Sequence, residues 1–203
     1  MSKQPCGREN TTDIILDAAD RLMQHYGYGK TTVDDIAHEA GIGKGTVYLH
    51  FDSKADVALS CIDRMNAQLQ ARLGEIVAEP ESPALQVKEV LTARVMFRFD
   101  HAHAYSQSID EIYSALRPQL MERRERNHEI EAGILAGPIE AGMRSGQFAA
   151  CDPLAAARTL IVASNSLLAY SRNPRTLGER HVLESAIGAV ADMLLFGLMA
   201  RET

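Results

Sequence analysis

The sequence predicts an all-α chain, and three observations carry that prediction. Apolar residues recur at three- and four-residue spacing through every long segment. No stretch sustains the alternation of a half-buried strand. Helix punctuation recurs between the segments, with Thr12, Thr31-Thr32, Ser53 and Asp152 as starts, Pro118 and Pro153 as first-turn prolines, and Gly27, Gly41, Gly146 and Pro174 as exits.

The elements follow in order. A polar stretch over 1–11 reads as a flexible tail, and Thr12 then caps a helix to Tyr26 whose buried face is Ile15, Ala18, Ala19 and Leu22. Asp13 and Asp17 fall in its early turns, where the helix dipole favours negative charge. Val33, Ile36, Ala37 and Ala40 predict a second, two-turn helix ended by Gly41. Val47, Tyr48 and Phe51 fit a third. Ser53, with Asp56 as a short-armed capping-box partner, starts a fourth that carries Val57, Ala58, Cys61, Ile62, Met65 and Leu69 toward Leu73. Glu79-Pro80-Glu81-Ser82-Pro83 is a linker. Helices are then expected over Ala84–Tyr105, Ser108–Leu116, Pro118–Arg144, Pro153–Ser171 and Leu177–Ala200.

Composition narrows the function. The 203 residues are 46% hydrophobic and 24% charged, with no Trp, so the core is aliphatic. No window approaches the roughly 18 uncharged apolar residues of a membrane span, and the N-terminus lacks the apolar stretch of a secretory signal. Cys6, Cys61 and Cys151 are unpatterned, which fits reduced thiols and a cytoplasmic protein. Net charge is -6, and residues 1–54 hold six Lys/Arg against eight Asp/Glu. Nucleic-acid binding, if present, rests on placed contacts and not on a bulk positive field.

The stretch Gly41-Ile42-Gly43-Lys44-Gly45-Thr46 looks like a phosphate loop. A G-x-x-x-x-G-K-[ST] nucleotide loop fails, because Gly45 follows Lys44 and His38 stands five before Gly43. A G-x-G-x-x-G fingerprint fails because its third glycine falls on Thr46. A helix-turn-helix fits: Ala37 is the small residue at a close crossing, Gly41 the turn, Ile42 and Val47 the apolar anchors, and Gly43-Lys44-Gly45-Thr46 a small, polar opening of the second helix.

The run from Thr31 to Ile62 closely resembles the signature of the TetR (tetracycline-repressor) family. The matching residues are Thr32, Asp35-Ile36-Ala37, Ala40-Gly41, Lys44-Gly45-Thr46, Tyr48, Phe51 and Ser53-Lys54. Family members often carry Ser where Gly43 stands. The resemblance implies an N-terminal three-helix helix-turn-helix DNA-binding domain (1–54) and a C-terminal helical ligand-binding and dimerisation domain (55–203). It further implies a homodimeric regulator, in the main a repressor, that binds palindromic double-stranded DNA and is released by a small-molecule effector. An activator, or a regulator without a small-molecule ligand, stays open. Thr32, Tyr48 and Lys54 are implied to contact phosphates. Gly43, Lys44, Gly45, Thr46, Leu49 and His50 are implied to lie at the major groove.

Two apolar stripes invite pairing with a second copy. One is Leu154, Ala157, Leu160, Ile161, Ser164 and Leu168; the other is Ala186, Ile187, Val190, Met193, Leu194 and Gly197. Internal core is the alternative, and the resemblance favours the dimer. An effector site is expected around Arg94, Phe97, Arg98, His101 and Tyr105, which share a helical face, with Tyr113, His128 and Met143 as further contributors. That these residues are ordinary core and solvent contacts stays open. His101 and His103 project about 200° apart on a helix, a poor metal pair. Glu122–Arg126 reads as a solvated face. No catalytic constellation stands out, so no enzyme activity, cofactor, metal or membrane partner is expected.

Overall fold

The computed structural model describes residues 8–106, 108–168 and 179–199. Eight helices are present among them: α1 (Arg8–Tyr26), α2 (Val33–Glu39), α3 (Lys44–Tyr48), α4 (Lys54–Ala78), α5 (Pro83–Ala104), α6 (Ile109–Arg144), α7 (Pro153–Ser164) and α8 (Arg180–Leu198). A 3-10 turn at Asn165–Leu167 follows α7. The described residues hold no β-strand, only an isolated antiparallel bridge between Phe148 and Met199.

Two compact units form. The first takes the described residues up to Met65 together with Ala104–Met121; the second takes Asn66–His103 and the described residues from Glu122 onward. By packing, then, the first unit reaches past the expected boundary at residue 54. The reason lies in its core, where Val57, Ala58, Leu59 and Cys61 of α4 and Ile112, Leu116 and Leu120 of α6 are buried with Ile15, Ala18, Ala19, Met23, Ile36, Ala37, Val47 and Phe51.

Several boundaries differ from expectation. Helix α1 starts at Arg8, before Thr12, so Thr12 is a helical residue whose hydroxyl is used elsewhere. Ser53 accepts from Asp56 N–H as foreseen, but the Asp56 carboxylate takes the N–H of Asp52, not that of Ser53. The expected break ahead of Pro118 is present within α6: two helical stretches meet across a kink at Leu116, whose φ -124° and ψ 18° are not helical. Pro118 supplies no N–H and its ring crowds the preceding turn, which accounts for the interruption. Helix α7 stops at Ser164; the expected ends at Ser171 and Ala200, the start at Leu177 and the exit at Pro174 lie outside the described residues.

The second unit buries Leu69, Leu73, Val87, Val90, Leu91, Val95, Leu135, Ile139, Ile161 and Ile187, an aliphatic core as composition required. Gln86 closes the α4–α5 connection by donating to the carbonyls of Val77 (3.1 Å) and Glu79 (2.8 Å), satisfying acceptors at the end of α4. Asp152 caps α7 through Leu154 N–H (2.9 Å) and Ala155 N–H (3.0 Å).

By length and composition α8 is apolar enough to cross a membrane, although Glu184 and Asp192 interrupt its apolar run. Its apolarity is two-sided. Leu183, Ile187, Ala191 and Leu195 are buried, while Val182, Met193 and Phe196 are exposed.

Phe148 lies directly over Gly142, where a Cβ would fall 2.1 Å from the ring. Gly142→Ala is therefore expected to cost about 1–3 kcal/mol through overpacking. Chemical denaturation should show that cost, and should show it largely removed when Phe148 is shortened to Ala.

Candidate nucleic-acid interface

The helix-turn-helix is built from capping chemistry. Thr32 accepts the N–H of Asp35 (3.2 Å), and the Asp35 carboxylate takes the Thr32 N–H (2.9 Å), closing a capping box at the start of α2. Hydrogen bonds from Thr32 hold the Asp35 carboxyl below its ordinary range. At the other end Gly41 N–H donates to His38 O (3.1 Å) and Ile42 N–H to Ala37 O (3.0 Å), a Schellman closure. Gly41 has φ +67°, the left-handed region that side chains resist.

Helix α3 spans only Lys44–Tyr48 and is fixed by Val47, which is 1% exposed. Its N-cap is Gly43, which makes no side-chain cap hydrogen bond. Around that anchor the outer face is open. Gly43, Lys44 and Gly45 are exposed, Tyr48 is 48% exposed and Leu49 75%. A Cβ at Gly45 would meet nothing within 4 Å, so the chain's own packing does not require glycine there. Glycine inside a helix costs about 0.5–1 kcal/mol relative to alanine. That cost makes sense where another surface must come close to the backbone.

The structure gives some of the expected contact residues partners inside the chain. Lys44 Nζ donates to Asp34 (2.6 Å), and that bond holds the ammonium above its ordinary range. His50 Nδ1 lies 3.0 Å from Thr12 Oγ1, so this half-buried ring braces α1 and does not project freely. Lys54 Nζ donates to Tyr28 O (2.8 Å) and sits 4.3 Å from the centre of the Tyr28 ring. Thr46 is half-buried.

Sequence reading missed the residues that brace this unit. The Glu111 carboxylate accepts the N–H of Gly29 (2.6 Å), so Glu111 of α6 and Lys54 of α4 hold the same turn after α1. Ser108 donates to Met23 O (2.5 Å), and Tyr105 donates to Asp20. Burial and the Asp20 carboxylate push the Tyr105 hydroxyl above its ordinary range and keep it a donor. Asp20 and Asp17 also receive Arg64, at 2.5 Å and 2.7 Å. No local pattern signals these pairings, whose partners lie tens of residues apart.

The expected effector residues fall in both units. Tyr105 and Tyr113 belong to the first unit and pack at its core, because α5 ends at Ala104 and the chain turns there. Arg94, Phe97, Arg98, His101, His128 and Met143 belong to the second. Met143 lies beside Cys151, with Sδ and Sγ 3.8 Å apart. The Phe97 and His101 rings stand 4.5 Å apart. Arg94 is wholly buried; its Nε donates to Glu131 (2.5 Å), and its two Nη donate to Ser164 (2.9 Å) and Asn165 (2.6 Å). Arg98 pairs with the other Glu131 oxygen. Burial pushes the Glu131 carboxyl up, but the Arg98 and Arg94 guanidiniums outweigh it and hold it below the usual range. Among the described residues no three His, Cys, Asp or Glu side chains converge on a metal-sized site.

The expected dimer residues divide as well. Ala157, Ile161, Leu168 and Ile187 are buried within the single chain. Leu154, Ala186, Val190 and Leu194 are half-buried, while Met193 and Gly197 are exposed. Exposed apolar residues that the stripes omitted are Val162 (66%), Val182 (57%) and Phe196 (76%). Helical spacing marks an apolar face but not which of two faces the chain buries itself.

Two outcomes follow. Gly45→Ala is expected to raise folding stability by about 0.5–1 kcal/mol and yet weaken DNA binding, as thermal unfolding and a duplex titration would read separately. His128 has its pKa pushed down to about 4 by burial and by Arg94, with Arg124 and Arg98 adding and Glu131 opposing. A lowered imidazole pKa favours the neutral ring in the fold. Stability is then full above the unfolded value of 6.5 and is lost as pH falls from there toward 4. Unfolding curves between pH 7 and 4 should flatten in His128→Gln.

Residues 15–61 match the family described as bacterial regulatory proteins, tetR family. The chain is 29% identical over 137 residues to the fatty acid metabolism regulator protein of Bacillus subtilis (strain 168), covering 66% of this chain and 68% of that protein. It is likewise 29% identical over 147 residues to an HTH-type transcriptional repressor of Rhodococcus jostii (strain RHA1), covering 70% of each. A solved transcriptional regulator from Cytophaga hutchinsonii ATCC 33406 shares the fold, with a TM-score of 0.78, 22% identity, and coverage of 93% of this chain and 98% of that one. The matched segment lies on the helix-turn-helix built above, and the chain is similar to transcriptional regulators of the tetR family.

Proposed function

We propose that this regulator is a cytoplasmic homodimer that represses transcription from a palindromic operator and leaves it when a small molecule binds. The observation that carries the DNA contact is the open face of α3: an exposed glycine that the fold does not need, beside the exposed Tyr48 and Leu49. Gly43 and Gly45 let the backbone approach the duplex. Lys44, Thr46 and Leu49 meet base edges, with Leu49 suited to a thymine methyl. Thr32, Tyr48 and Lys54 meet phosphates and set register. His50 acts chiefly by holding α3 against α1 through Thr12.

Two copies meet on the exposed apolar face of α8, with Val182, Met193 and Phe196, and on Val162 of α7. Paired helix-turn-helices read a two-fold symmetric site. The second unit receives the effector. Regulation needs only that the effector prefer the dimer geometry that fits DNA poorly, a differential of about 1–3 kcal/mol.

Selection of bound sequences from a random duplex pool tests the reading. An enriched inverted repeat is expected, with affinity falling steeply as salt rises. Recovery of no symmetric sequence, or a monomer by light scattering at micromolar concentration, would overturn it.

A further inference from the structure

Most acidic contacts of the helix-turn-helix unit hold its fold together. Asp35 closes the capping box of α2, and Asp56 takes the N–H of Asp52. Asp17 and Asp20 of α1 hold Arg64 of α4, and Glu39 of α2 meets Arg21 of α1. Asp34 differs in its partner. Its carboxylate, 64% exposed, accepts from the ammonium of Lys44, 50% exposed, at 2.6 Å. Lys44 opens α3 and is one of the residues proposed above to meet base edges.

The fold does not depend on this pair to join α2 to α3. That junction is already closed by the Gly41 and Ile42 N–H bonds back onto α2 and by the buried Val47. An ion pair so exposed adds little to folding. Its effect falls on Lys44 itself. Gly43 and Gly45 on either side have no side chain to direct the lysine, so Asp34 is what holds the ammonium on the protein. A carboxylate accepts from the same charged donors as a phosphate or a base edge, and therefore occupies the group that a duplex would take. DNA gains the full use of Lys44 only by breaking that bond, which leaves a carboxylate beside a polyanion.

We infer that Asp34 is an intramolecular competitor for DNA, an affinity-setting residue that neutralises Lys44 in the free protein and so weakens the hold of α3 on a duplex. This rests on the reading of the open face of α3 as the DNA surface. An exposed ion pair is worth about 1.4- to fivefold in an equilibrium constant, so two protomers on one duplex forgo about two- to 25-fold in affinity.

Duplex titrations of the full chain test this, with the inverted repeat enriched by the selection above and with a random duplex of the same length, which carries the same comparison if no repeat is enriched. Asp34→Asn keeps the size of the side chain and removes its charge. It should tighten binding by about two- to 25-fold, steepen the fall of affinity with salt and leave thermal unfolding little changed. Glu39→Gln removes the same charge from the same helix and should tighten binding far less. Lys44→Gln completes a double-mutant cycle. It should weaken binding more in the Asp34→Asn background than in the unmodified chain, because only there is the ammonium not already engaged. The inference is overturned if Asp34→Asn weakens binding, which would make Asp34 a positioning residue for Lys44. It is equally overturned if Glu39→Gln tightens binding as much, which would make the effect one of net charge. The cycle separates this inference from the reading beneath it. An equal loss from Lys44→Gln in both backgrounds keeps Lys44 on DNA and sinks the competitor, whereas no loss in either takes Lys44 off DNA and sinks both.

Discussion

The burial of Val47 is the constraint on which the DNA-facing geometry depends. A helix of five residues has no stability of its own, because nucleation costs more than so few hydrogen bonds return. Helix α3 exists because one side chain is seated in a core already formed by α1, α2, α4 and the start of α6. Burying a valine contributes roughly 1.5–3 kcal/mol, enough to fix one turn but not to spare. The open face of α3 is the geometric complement of that anchor. Everything that steadies the surrounding core, from the Glu111–Gly29 bond to the Arg64–Asp20 pair, also determines where the face points.

Much of this was legible from residues alone, for physical reasons. Helical periodicity, capping hydroxyls and a glycine at a left-handed position are local signals, so α2, its Schellman closure and the N-cap of α7 could be read directly. The Thr31–Ile62 motif carried the resemblance to the tetR family because its residues must satisfy the same turn and crossing together. Long-range polar pairings were not legible. Lys54 on the Tyr28 carbonyl joins residues 26 apart, and Arg94 on Asn165 joins residues 71 apart; neither pairing leaves a periodic trace. The apolar stripes of α7 and α8 are a different case. A helix that is apolar around most of its circumference has two candidate faces, and only packing tells which one its own chain covers.

Negative charge in the helix-turn-helix unit also takes on a different meaning. Asp35 and Asp56 accept backbone N–H groups, Asp17 and Asp20 hold Arg64, Glu39 meets Arg21, and Asp34 meets Lys44. The acidic residues are largely spent on internal contacts, which is how a unit short of positive charge can still approach a polyanion. The pairing of Asp34 with Lys44 is the one that the proposed DNA contact has to compete with, because it holds the Lys44 ammonium on the protein.

The exposed side of α8 carries a consequence for gene dosage. Val182, Met193 and Phe196 keep water ordered around a single copy. If the operator-reading form is a pair joined on that side, then in dilute solution its amount grows with the square of the chain concentration. Doubling expression would then quadruple the active species until pairing saturates. The length and apolarity of one helix would thereby set an abundance threshold, below which the regulated promoter goes unread whatever the effector does.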